Sequence, residues 1–440
     1  TATAQIINQN MARNLTPDAP LIAETGGINV MIVDSSALPQ QAINDVLASA
    51  FQSAGQRCSA CRLLYLQSDI AEEFLAMLRG AMDTLKIGNP WEVDTDIGPL
   101  IDSDAYQEIA SYAGINGKNS DNNFLLAPSI KRVSGIDEIE REIFGPVLHV
   151  ATYKAGDLDQ VVDRINARGY GLTFGLHTRI DSRVDQVTRR INCGNIYINR
   201  NQIGAIVGSQ PFGGEGLSGT GPKAGGPNYL QRFKCHGDGV DFTDTSPTGA
   251  EIPVTEIQNA IDELSGLQIL QRQALEKLFE NSGLKIPDFF CKQSQTLPGP
   301  TGESNILSYA PKGLVLCLGP TNTQARSQAV AALAAGCQVL VICENPPHQL
   351  TELQINGAPI RCIGGHISAS DITELENLSV VTMQPCKAMA DLRAALATRQ
   401  GAIIPIVFEP FTQTSFLHER HTCIDTTAAG GNAALMVEAG

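Results

Sequence analysis

The chain has 440 residues, of which 43% are apolar and 18% charged, so it is long enough for about three ordinary domains and apolar enough to bury large cores. Forty-six acidic residues against 31 basic ones give a net charge of −15. That balance argues against sequence-independent nucleic-acid binding and against docking on anionic lipid, both of which need clustered positive charge.

No run of 18 apolar residues occurs, so no transmembrane helix is expected. No basic segment followed by an apolar run opens the chain, so no signal peptide is expected either. The start at Thr1, without Met, reads as the inside of a domain, and a fragment of a longer protein is the expectation. Eleven irregularly spaced cysteines without an export signal read as reduced thiols of a cytoplasmic protein.

Strand and helix patterns alternate through most of the chain, which predicts an α/β fold. Residues 29–33 (NVMIV) form a β-type run, and residues 39–54 carry helical spacing at Ile43, Val46, Leu47 and Ala50. Residues 61–66 (CRLLYL) predict the next strand, residues 70–85 a helix, and residues 147–153 another strand. Between Gly204 and Gly226 the glycine density predicts a loop. The polar, turn-rich stretch 237–253 marks a domain boundary. Residues 257–282 read as one amphipathic helical stretch, and 297–304 as a second break. A βαβ unit follows, with a strand at 313–318, a helix at 323–335 and a parallel strand at 338–343. The tail, 426–440, is either a disordered end or an extended segment that docks elsewhere.

Three local patterns could carry chemistry. Glu24-Thr25-Gly26-Gly27 puts a carboxylate before a Gly-Gly turn, where backbone can approach a ligand; alone, it reads as a surface turn. Gly55-Gln56-Arg57-Cys58-Ser59-Ala60-Cys61 puts Cys58 on a loop between a helix and a strand, where a thiol can be exposed and activated. Cys58 and Cys61 also spell C-x-x-C, which a redox pair or half a zinc site would use. No second C-x-x-C or H-x₃-H follows at metal spacing, and Cys61 also fits a small core residue. Glu140–Val147 runs charged residues into Phe144-Gly145-Pro146; it is a helix end and turn, or a carboxylate and an aromatic ring set against a cofactor.

Taken together, the motifs resemble the aldehyde dehydrogenase superfamily. Glu24–Gly27 is similar to its Glu-Leu-Gly-Gly motif, with Thr25 in place of Leu, and Gly55–Cys58 to its Gly-Gln-x-Cys motif, 34 positions downstream. Glu142–Val147 resembles Glu-x-Phe-Gly-Pro, Pro211–Gly214 resembles Pro-Phe-Gly-Gly, and residues 86–100 carry its Gly-x-Pro and Gly-Pro-Leu elements. The resemblance implies Cys58 as nucleophile and Glu24 as general base on the hydrolytic water. It implies NAD as cofactor, with Glu142 on the nicotinamide ribose, Phe144 beside the nicotinamide, and Gly27 and Thr1 as further cofactor contacts.

Residues 202–212 resemble the aldehyde anchor loop of glutamate γ-semialdehyde dehydrogenases. That resemblance implies Ser59, Gly204 and Ala205 on the substrate's α-carboxylate and Phe212 on its methylene chain; read alone, the loop is an ordinary turn. Further stretches (23–27, 31–36, 53–60, 197–200, 217–226 and 427–435) resemble multifunctional bacterial members that join this activity to a proline dehydrogenase. They imply an upstream FAD-dependent proline dehydrogenase domain in the same parent chain and a possible homo-oligomer.

The expected organisation is residues 1–28 as a remnant of the NAD-binding domain, 29–205 as the catalytic domain, 206–236 as anchor loop and return, 237–425 as a second, non-catalytic Rossmann-like domain, and 426–440 as a tail. Residues 313–346 resemble the family's own first βαβ unit. Asn322 stands there at the position of the oxyanion Asn, but Glu344 replaces the Lys that binds adenosine ribose, and no G-x-G-x-x-G is present. Asn322 is therefore left outside the catalytic set. A fragment beginning at Thr1 is expected to bind NAD poorly and turn over little. The alternatives are an inactive scaffold or tunnel-covering piece of the same enzyme, and a redox or metal-binding protein using Cys58 and Cys61.

Overall fold

The computed structural model describes residues 1–115, 123–234, 242–267, 270, 272–287 and 294–427. It is mixed α/β, with one large, mostly parallel sheet and a second, smaller parallel sheet. Helix α1 (Ala2–Asn14) opens the chain. The strands that follow are β1 (Val30–Val33), β2 (Leu63–Gln67), β3 (Ser129–Arg132), β4 (Val147–Tyr153), β5 (Tyr170–Gly171), β6 (Thr173–His177), β7 (Asn195–Ile198) and β8 (Glu215–Gly216), of which β5 and β8 are a two-residue pair apart from the large sheet. All four residues of β1 are buried, and so are all five of β2. That is expected of strands covered on both faces, which read as continuous apolar runs.

The covering helices are α2 (Pro39–Phe51), α3 (Ala71–Met82), α4 (Ser103–Ala113), α5 (Leu158–Ala167) and α6 (Asp181–Arg190). Ile43, Val46, Phe74, Leu75 and Ile109 from α2–α4 close one face. Val161, Val162, Ile165 and Val187 from α5 and α6 close the other.

The second half contains α7 (Val254–Ser265), α8 (Arg272–Asn281), β9 (Ser294–Leu297), β10 (Glu303–Pro311), β11 (Leu314–Cys317), α9 (Asn322–Ala334), β12 (Gln338–Cys343), α10 (His348–Ile355), β13 (Ile360–Gly364), β14 (Leu378–Thr382), α11 (Met389–Thr398), β15 (Ile406–Val407), α12 (Gln413–Phe416) and β16 (Leu417–Asp425). Its five-stranded sheet runs β13-β12-β11-β14-β15, all parallel. The βαβ unit read from the sequence is β11-α9-β12, at its centre. The single helical stretch expected over 257–282 is two helices instead. The first stops at Gly266, whose N–H reaches back to Glu263, and a short break separates it from α8. The break expected at 297–304 is the turn of a hairpin between β9 and β10.

The strands of the two halves are not segregated. The large sheet runs β3-β4-β2-β1-β6-β7-β16-β10-β9, parallel as far as β16 and antiparallel after it. The late strand β16 therefore pairs directly with β7, and residues assigned from sequence to the second unit complete the first sheet. Helix α1 adds another crossing. It packs on α11, with Gln5 donating to Gly401 O (2.9 Å) and Arg393 to Leu15 O (2.8 Å). The expectation for the tail falls mostly on residues 428–440, outside the described residues.

Candidate active site

Open parallel sheets usually bind ligands beyond the carboxyl ends of their strands. Here the candidate residues gather at the opposite edge, in the loops that enter β1, β2 and β4. Cys58 lies three residues ahead of Cys61-Arg62, where the chain leaves a 3₁₀ turn at Gln52–Gly55 and turns toward β2. The turn needs Gly55. Its φ is +67°, and a Cβ there would stand 2.3 Å from the carbonyl oxygen of Gly145, in the loop that carries Glu142 and Phe144. The Cys58 loop and the Phe-Gly-Pro loop thus touch backbone to backbone.

Asn29, at the head of β1, pins the loop from below. Its Nδ2 donates to Cys58 O (2.7 Å) and to Ala60 O (2.9 Å), and its Oδ1 accepts the Thr173 N–H. Cys58 is exposed, whereas Ser59, whose carbonyl accepts from Thr173, and Cys61 are buried. Cys61 sits in the core with its thiol pushed up to about 12 by burial, so the two cysteines occupy different environments rather than one shared site.

The Cys58 thiol is itself raised. The protein around it is the main cause, followed by the negative charges of Glu24 and then Glu142; the N–H groups of Ser59 and Cys58, aimed at the sulfur, lower it. Both motif carboxylates therefore lie within electrostatic reach of the sulfur. Glu24 stands on the segment that bridges to Gly219, and burial raises its pKa while Lys223 pulls it back. Glu142 rests against Gly26, where a Cβ would fall 1.9 Å from its Oε2, and it accepts the Gly27 N–H. Burial raises Glu142 as well, with Arg62 opposing.

Arg62 was not picked out by the sequence reading. It is 1% exposed. Its Nε and Nη2 donate to Glu142 Oε1 (3.2 and 2.9 Å), Nη1 donates to Gly55 O (2.6 Å), and Nη2 also donates to Arg57 O (2.9 Å). Its guanidinium also lies 5.0 Å from the centre of the Phe144 ring. One planar fork thus ties together the Cys58 loop, the carboxylate and the aromatic ring. Asn29 and Lys223 were missed in the same way. The only sequence signal was a polar residue at each of three points where the pattern called for core or glycine loop.

The other expected site residues are placed less closely. Thr1 is exposed and donates to Leu217 O (3.3 Å), the carbonyl that also accepts Thr25 Oγ1 (2.6 Å), and the N-terminal charge reaches Glu142. Phe212 is half-buried and paired by backbone with Ala224. Gly204 and Ala205 are exposed; Gly204 has φ +87° and open space around it, and neither is tied to Cys58 by a hydrogen bond.

Glu142 is held at its carboxylate on the Gly26-Gly27 turn, and the Phe144 ring beside it is 44% exposed. The accessible ring suits the flat base of a nicotinamide, and the Glu142 carboxylate, already held by Arg62 and the Gly27 N–H, is fixed beside it as an acceptor for a ribose hydroxyl.

Comparison with known proteins bears on the same region. The aldehyde dehydrogenase family matches residues 1–235. The bifunctional protein PutA of Klebsiella aerogenes is 39% identical over 98% of this chain and 35% of its own length. 1-Pyrroline-5-carboxylate dehydrogenase 1 of Halalkalibacterium halodurans is 38% identical over 48% of this chain and 43% of its own. The structure of proline utilization A from Corynebacterium freiburgense covers 97% of this chain and 41% of its own, with a TM-score of 0.61 at 24% identity, a likeness of fold. The chain spans about a third of the length of the PutA relatives it matches. A carboxylate, a cysteine and a second carboxylate gathered on three loops, in a segment matched from end to end, give the conclusion that the chain belongs to the aldehyde dehydrogenase family.

Proposed function

We propose that this chain carries the NAD-dependent oxidation of L-glutamate γ-semialdehyde, the aldehyde released by hydrolysis of pyrroline-5-carboxylate, to L-glutamate. The observation that carries the reading is the exposed Cys58 sulfur, on a loop that touches the Glu142 loop, with the charges of Glu24 and Glu142 both acting on it. The substrate class is supported by the 1-pyrroline-5-carboxylate dehydrogenase relative and by PutA.

The exposed Cys58 thiol gives its proton to water and its sulfur adds to the carbonyl carbon, while the C=O π pair moves to oxygen. The N–H groups of Cys58 and Ser59 can hold part of that charge. When bound, a nicotinamide would supply the hydride acceptor: the oxygen pair re-forms the C=O bond as the C–H bond gives up its pair, and the acyl group is left as a thioester on Cys58. Glu24 then takes a proton from water, the water oxygen bonds to the acyl carbon, and the C–S bond breaks to return the sulfur. Glu142, Phe144, Gly27 and Thr1 are assigned to the cofactor, and Ser59, Gly204, Ala205 and Phe212 to the substrate.

Residues 29–205 are read as the catalytic unit, with 1–28 as part of the NAD-binding domain, 206–236 as anchor loop, and 237–425 as a non-catalytic Rossmann-like unit. In the full-length protein an upstream FAD-dependent proline dehydrogenase would supply the substrate. The test is steady-state oxidation of glutamate γ-semialdehyde by the full-length protein. Cys58→Ala abolishes NADH formation, and Glu24→Gln gives one NADH per site and then stops. Undiminished turnover in either variant overturns the reading.

A further inference from the structure

Lys223 is 2% exposed, an ammonium carried wholly inside the protein. Its Nζ donates to Asn195 Oδ1 (2.9 Å) and to the carbonyl of Gly213, both neutral oxygens. Gly194 makes room for it, because a Cβ there would stand 2.9 Å from that nitrogen. Among the described residues no carboxylate pairs with it directly.

The carboxylates nearest to it are otherwise engaged. Glu215 of β8 accepts two bonds from Arg420 (2.7 and 2.9 Å). Glu419 of β16 accepts the Lys223 backbone N–H (2.9 Å) and Asn228 Nδ2 (2.8 Å). His418 and His421 of β16 also face the ammonium, and burial holds them down at about 4 and about 3, so both are neutral at working pH. The Cys193 thiol is likewise neutral, pushed up to about 12 by burial. The remaining negative charge facing it is Glu24, whose Oε1 lies 3.8 Å from the Cβ position of Gly213, the residue whose carbonyl Lys223 holds.

We propose that Lys223 is a positioning residue for the hydrolytic step, its buried ammonium keeping Glu24 ionised beside Cys58. The inference rests on the role proposed above for Glu24. Burial lowers Lys223 to about 8, which still leaves it mostly charged at neutral pH, and its field opposes the rise that burial imposes on Glu24. Strand β16, from the far end of the chain, thereby frames the base through Glu419.

The test uses the full-length protein and p-nitrophenyl acetate, which acylates Cys58 without any nicotinamide; the deacylation rate is followed against pH. Deacylation rises with pH as Glu24 ionises. Lys223→Met, and Lys223→Gln (which keeps a donor but not the charge), move that limb to higher pH and slow the low-pH rate by roughly tenfold. Lys223→Arg restores it. Glu419→Gln keeps the lysine but removes the charge that does most to hold it protonated, so the limb moves to higher pH in this variant too; it decides if the neutral ones do not fold. A limb that stays in place in the folded variants overturns the proposal. If Glu24→Gln still deacylates at the native rate, the reading of Glu24 itself is what fails.

Discussion

Replacing Arg62 by Met tests whether the site is held by one side chain. Met fills the volume of the stem, so the loss is polar rather than steric. Glu142, 19% exposed, would be left facing a pocket without its cation. Removing one partner of a buried pair costs about 3–5 kcal/mol. The carbonyls of Gly55 and Arg57 lose their donor as well, at about 1–3 kcal/mol for each buried group left without a partner. These costs overlap, because water can enter once the fork is gone, so about 5 kcal/mol is expected.

The assay is urea unfolding followed by circular dichroism, since the single tryptophan, Trp91, is 92% exposed and reports little. Pairing Arg62→Met with Glu142→Gln in a double-mutant cycle should return a coupling of about 2 kcal/mol or more. A loss under about 1 kcal/mol, with no coupling, would refute the view that Arg62 ties the loops together.

Other consequences can be measured directly. Gly55→Ala meets backbone at 2.3 Å and should cost about 3 kcal/mol or more; Gly26→Ala meets the Glu142 carboxylate at 1.9 Å and must push it off its Arg62 and Gly27 partners, so it should lower the Tm as well as weaken NAD binding about tenfold, by isothermal titration. Cys61→Ser should leave the rate of Cys58 alkylation by iodoacetamide within about twofold, because the buried Cys61 takes no part; loss of labelling would revive a paired-thiol reading. Burial holds His177 at about 4 and His421 at about 3, so each is neutral in the fold and gains a proton on unfolding. Their contribution is complete above about pH 6.5 and is lost as pH falls toward 4, at roughly 1.4 kcal/mol per histidine per pH unit. His421→Asn should flatten that slope in a pH series of urea midpoints.

Much of the fold is legible in the sequence because period and length carry it. Residues 147–153 and 338–343 are strands with the bounds their apolar runs imply. The pairing of β16 with β7 is not legible, since 417–425 alternates like any half-exposed strand and its partner is more than 200 residues away. The motif residues Glu24, Cys58 and Glu142 are legible through family resemblance. Their supports are not, because Asn29, Arg62 and Lys223 act through contacts made only when distant loops meet. A lone Arg at the head of an apolar strand looks like an edge residue until Gly55, Arg57 and Glu142 are seen around it.

The central claim is that the sulfur of Cys58 carries the acyl group that Glu24 releases. Mass spectrometry of full-length Glu24→Gln, quenched in acid after one addition of glutamate γ-semialdehyde and NAD, measures it most directly. The account predicts a glutamyl adduct on the peptide that contains Cys58, stoichiometric with the NADH formed and absent from Cys58→Ala. NADH formed with no adduct at Cys58, or an adduct on another residue, would contradict it.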